Sequence, residues 1–182
     1  MTKLSILTVI LGALVAVKGL YGLAQPVSFS AALRKFPRSL PWGYALMLFG
    51  TAWFVYNVSQ ESIADFASYK NVLLAVFAAI GIGSCFFVQD FLAVRGLAIV
   101  LLLLGKLLVD IGRPRLPDSA WVLVIQVWAY LMVIAGMWLT ISPWRLRDMV
   151  NWVTADPKRL KLACGVRLAF GLLIVALGLV KF

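Results

Sequence analysis

Apolar residues gather into six long runs, at roughly 4–24, 42–59, 71–88, 92–111, 120–141 and 162–181, close to the ~20 residues a helix needs to cross hydrocarbon. The polar stretches between them are short, and two have a helical pattern of their own. After Pro26 the apolar residues fall at Phe29, Ala32, Leu33 and Phe36; after Pro143 they fall at Leu146, Met149, Val150 and Val153. Both sets sit three, six, seven and ten residues beyond the proline, which is one face of an α-helix. A second proline with bases follows each stretch, as Pro37-Arg38 and as Pro157-Lys158-Arg159. The pattern predicts an all-α integral membrane protein. It has six transmembrane helices and two amphipathic segments lying at the interface.

Positive charge sets the expected orientation. Arg34, Lys35 and Arg38 occupy the first connection, Arg95 lies just past the third, and Arg145, Arg147, Lys158, Arg159 and Lys161 occupy the fifth. The opposite side has Lys3, Lys70, Arg113, Arg115 and Lys181. The positive-inside rule then puts the odd connections in the cytoplasm and both termini outside, although Lys3 pulls the other way. The result is a single domain over 1–182 built of three like-oriented hairpins, approximately 1–59, 60–111 and 112–182. The first 24 residues imitate a signal peptide, with Gly22-Leu23-Ala24 as a small-residue site, but Lys18 interrupts the apolar core. They are expected to stay as the first helix. Residues 60–70 are expected to form a turn or two of helix, and the two prolines within 112–119 exclude a regular helix there.

Composition sharpens this picture. Of 182 residues, 63% are hydrophobic, and the mean hydropathy is +0.99. The net charge of +10 would suggest nucleic acid on a soluble protein. Here the bases flank apolar runs, which points to orientation and anionic headgroups instead. Phe29, Leu33 and Phe36, with Leu146, Met149 and Val153, are expected to dip into the acyl boundary. The eight bases Arg34, Lys35, Arg38, Arg145, Arg147, Lys158, Arg159 and Lys161 would meet headgroups. The chain has no histidine, and Cys85 and Cys164 lie inside separate apolar runs. No metal-ligand spacing, nucleophile elbow or phosphate loop occurs, so neither a cofactor nor an enzymatic reaction is expected.

Charges within the spans are the remaining leads. Lys106 and Asp110 stand four apart and can pair, either as a salt bridge near the outer interface or as part of an ion relay. Lys18, Arg95 and Arg167 lie toward the cytoplasmic ends, suited to snorkelling or to holding an anionic ligand. Ala75, Ala79 and Gly83 form a small-residue stripe expected to pack inside the bundle. Trp128 lies nearer the middle of its run than Trp121 and Trp138, and is expected to pack in the bundle.

Pro143-Trp-Arg-Leu-Arg-Asp-Met149, then Asp156-Pro157, Leu160-Lys161 and Gly165 before a Gly- and Leu-rich helix, resembles the small two-helix YjeT-like inner-membrane proteins. Pro143, Arg147, Met149, Pro157 and Gly165 carry the likeness. It covers roughly residues 120–182 and, more loosely, 4–59. In the first copy the interval from Pro26 to Pro37 is shorter and Gly43 follows sooner, and the central hairpin departs altogether. The resemblance implies a bacterial inner-membrane address and an accessory role, with no catalytic residues. The expected function is therefore a non-enzymatic accessory or scaffold subunit of a larger inner-membrane complex. Its partners would be anionic phospholipid and another integral membrane protein. The alternative is a small transporter or channel using Lys106 and Asp110.

Overall fold

The computed structural model describes residues 2–61 and 69–181. Among these residues there are eight α-helices, α1 (Lys3–Ala24), α2 (Pro26–Lys35), α3 (Leu40–Gln60), α4 (Lys70–Phe87), α5 (Leu92–Gly112), α6 (Val122–Ile141), α7 (Trp144–Thr154) and α8 (Pro157–Val180). Among the described residues there is no strand. Short 3-10 turns cover Phe36–Arg38 and Arg113–Arg115, the latter opening the proline-punctuated stretch expected to be irregular. The turn or two of helix expected at 60–70 falls largely on residues outside those described.

Local chemistry explains the boundaries. Thr2 caps α1, its hydroxyl accepting the Ser5 amide at 3.1 Å. Gln25 alone separates α1 from α2; it sits before a proline, where the α conformation is disfavoured, and adopts φ −132°. Pro26 then opens α2 without sacrificing a needed N–H. Asp156 caps α8, accepting the Lys158 amide at 2.9 Å, and Pro157 takes the first turn. The last helix therefore begins before its apolar run and absorbs the basic segment Lys158–Lys161.

Five helices, α1, α4, α5, α6 and α8, are long and apolar enough to cross a membrane, the build of a multi-pass membrane protein. The helix α3 is also 21 residues long but is not among them. Trp42, Tyr44, Trp53, Tyr56 and Asn57 lower its hydropathy.

The chain divides into two compact units. The first holds residues 1–35, 105–131 and 147–182. Its spine is an antiparallel pair, α1 against α8, packed through small residues. A Cβ built on Gly12 would lie 2.9 Å from the Gly171 carbonyl oxygen, and one on Gly19 would lie 2.7 Å from the Leu168 nitrogen. Ser5, Thr8, Gly12, Ala16, Gly19 and Gly22 form the buried face of α1 together with Leu4. In lipid, where apolar side chains gain nothing by leaving hydrocarbon, such close backbone approach is the main source of helix association. Ser5 adds a buried bond, its hydroxyl donating to the Gly178 carbonyl at 2.6 Å.

The second unit holds residues 36–104 and 132–146. Here α3 and α5 run parallel: Gly43 meets Leu92 and Ala93, Gly96 meets Leu46 and Met47, and Gly50 meets Ile99 and Val100. On α3, Thr51 receives Gly81 of antiparallel α4, and Phe54 meets Phe77 edge-on at 5.1 Å. Met47, Cys85 and Leu92 form one core; Phe91, Val94, Ala98 and Leu139 form another, joined by Leu146.

Candidate functional site

The two amphipathic helices form where their periodicity predicts, but their apolar faces meet protein. Phe29 is buried with Leu160 and Cys164 of α8, and Leu23, Leu33 and Val153 pack against them. Leu146 packs on the Phe91–Val94–Ala98–Leu139 core. Phe29, expected to dip into the acyl boundary, is instead buried in protein, while Leu33, Leu146 and Val153 are partly buried. A helix face cannot distinguish bundle from bilayer by hydropathy, because both are apolar. The side of α7 left open carries Arg145, Met149 and Trp152 at helical spacing, and Met149 and Trp152 are exposed.

The eight bases divide by partner. Arg34 donates from Nε to the Thr154 hydroxyl at 2.8 Å and from Nη2 to the Thr154 carbonyl at 2.9 Å. It thereby ties the last turn of α2 to the end of α7, satisfying a carbonyl that the helix itself leaves unpaired. The sequence shows no sign of this link, since Arg34 and Thr154 stand 120 residues apart. Arg147 pairs with Asp148 at 2.9 Å. The Arg159 guanidinium lies over the Trp152 ring at 4.8 Å and that of Arg38 over Phe91 at 5.8 Å, both within cation–π range. Lys35, Arg145, Lys158 and Lys161 are exposed.

Of the intramembrane charges, Lys106 and Asp110 do pair, Nζ to Oδ2 at 2.8 Å, with side chains 47% and 57% exposed. The pair therefore sits on an outer face of α5 and is not enclosed. Lys18 and Arg167 are exposed beside Gly19 and Leu168, at one level of the α1–α8 seam. Arg95 differs from these: it is half-buried, and its Nε is enclosed without a hydrogen-bond partner.

The small-residue stripe of α4 faces outward. Ala75 and Ala79 are exposed, and a Cβ on Gly83 would meet only a Phe87 ring carbon at 3.9 Å. Internal packing falls instead to Gly81 and Cys85, the only two residues of α4 that are buried. This reverses the expectation that the stripe packs inside the bundle. Trp128 is partly buried and lies edge-on to Phe170 at 5.4 Å. On the same helix, Gln126 is buried and donates to the Val109 carbonyl at 3.4 Å. Among the described residues no three of Cys, Asp and Glu converge as a metal site. No protein-family model, curated protein or solved structure matches this chain.

Proposed function

We propose that this chain is a non-catalytic accessory or scaffold subunit of a bacterial inner-membrane complex. A partner helix docks along α4, and the basic connections rest on anionic headgroups. The outward stripe Ala75–Ala79–Gly83 carries this reading. Small residues let two backbones approach closely, an advantage unused against lipid chains and useful against another helix. The likeness of residues 120–182 to YjeT-like proteins supports the inner-membrane address.

In this arrangement α3 is the sixth crossing, its Trp42 and Tyr56 suited to the two interfaces. The six spans form three like-oriented hairpins with both termini outside. Arg34, Lys35, Arg38, Arg145, Arg147, Lys158, Arg159 and Lys161 then fall on the cytoplasmic face. Met149 and Trp152, on the open side of α7, take the acyl-boundary role.

The test is a gentle-detergent pull-down of the tagged chain from its native membrane, compared with Gly83→Leu. The wild type should bring down a membrane protein in fixed ratio. Gly83→Leu should lose that protein while melting like the wild type, because a Cβ at this position makes only an ordinary contact with the Phe87 ring at 3.9 Å. A wild type that purifies alone, or a variant that keeps the full complement, refutes the docking assignment.

A further inference from the structure

Arg95 Nε is the one side-chain nitrogen or oxygen among the described residues that is enclosed with no hydrogen-bond partner. A guanidinium cannot shed its charge to relieve this, as a lysine or carboxyl could. Among the described residues no carboxylate pairs with it. A free snorkelling base would place its whole polar end in water or headgroups. Arg95 is held half inside.

A second guanidinium, that of Arg38, lies over the ring of Phe91, four residues before Arg95. Phe91 has φ 54°, a left-handed conformation that a bulky residue rarely adopts. It is held there by burial against Val94, Ala98 and Leu139. Its carbonyl accepts the Arg95 amide at 3.1 Å, and its ring lies under the Arg38 guanidinium at 5.8 Å. One strained residue thus fixes the Arg38 guanidinium through its ring and, through its carbonyl, the backbone from which Arg95 projects. A phosphate reaching both would give the Arg95 Nε the acceptor it lacks and meet a second permanent cation in Arg38.

We infer that Arg95 and Arg38 bind a phosphate group at this end of the second unit, most simply the headgroup phosphate of an anionic phospholipid. Arginine forks match phosphate oxygens, and the site lies where α5 begins, at the level expected of headgroups. The inference deepens the lipid-contact half of the function proposed above. It adds one phosphate pocket to a general basic surface.

The delipidated full chain, in a zwitterionic mild detergent, is titrated with short-chain phosphatidylglycerol, short-chain phosphatidylcholine and inorganic phosphate, and its melting temperature is read. Phosphatidylglycerol should raise the wild-type melting temperature and phosphatidylcholine should not. In Arg95→Gln and in Arg38→Gln the apparent affinity should fall about tenfold, the loss expected of one charged hydrogen-bonding partner. Arg113→Gln, at the far end of α5, should behave as wild type. Arg38 is exposed, so its variant keeps the test decisive if Arg95→Gln folds poorly by circular dichroism. Protection by inorganic phosphate that depends on Arg95 supports the site and names a free anion as its occupant. Protection that is equal in all variants, or absent from the wild type, overturns the inference. A chain that fails here yet keeps its stoichiometric partner leaves the accessory-subunit reading standing.

Discussion

Replacing Gly171 by alanine should destabilise the protein, whereas the same change at Gly165, earlier on α8, should not. A Cβ on Gly171 would lie 2.5 Å from the Ala16 nitrogen, 2.8 Å from the Ala16 Cα and 2.8 Å from the Gly12 carbonyl oxygen. All three are backbone atoms, so no side chain can swing aside. The two helices must part by about 1 Å, which forfeits a quarter to a half of each dispersion contact along the opened seam. Overpacking of this kind costs about 1–3 kcal/mol. Alanine's better helix propensity returns at most about 1 kcal/mol. A net loss of up to about 2 kcal/mol follows, or a fall of up to roughly 8 °C in melting temperature for a chain of this size. At Gly165 a Cβ would meet nothing within 4 Å, so only the propensity gain remains. The assay is unfolding of both variants in the same detergent, by heat and by added dodecyl sulfate. If Gly171→Ala melts with the wild type, or Gly165→Ala loses as much, then close backbone contact is not what holds α1 to α8.

Ser5→Ala removes the buried bond to the Gly178 carbonyl and should cost about 1 kcal/mol in the same unfolding assay, near the range measured for polar bonds between membrane helices. Thr8→Val should cost less, because the Thr8 hydroxyl donates to Leu4 and Ser5 carbonyls of its own helix; equal losses would count against an interhelical role for Ser5. Arg34→Gln should leave the melting temperature nearly unchanged, since the bonds it removes are exposed. It should nevertheless speed amide hydrogen exchange in the last turn of α7. Arg34→Lys should restore the charge but not the protection, and exchange as slow as wild type in both variants would show that α2 does not cap α7.

Chain order and hydropathy alone determined where the α-helices lie among the described residues, with the start of α8 set instead by its Asp156 cap and Pro157. The runs read at 4–24 and 92–111 appear as helices over 3–24 and 92–112, and the two proline-led patterns appear as α2 and α7. Backbone groups in an apolar run must pair within the run, so length and composition are enough to specify a helix. The i,i+4 geometry that joins Lys106 to Asp110 is likewise local, and their pairing was legible for that reason. Tertiary structure decided which face of each helix turns inward. On α4, the Ala75–Ala79–Gly83 stripe and the Gly81–Cys85 face are both small and apolar, and only the fit of Thr51 into Gly81 separates them. On α2 and α7, the same apolar residues could have met lipid or protein at similar gain. The clamp of Arg34 on Thr154, and the stacking of the Arg38 guanidinium on Phe91, join residues distant in the chain. No periodicity encodes such meetings; they exist only once the helices have packed.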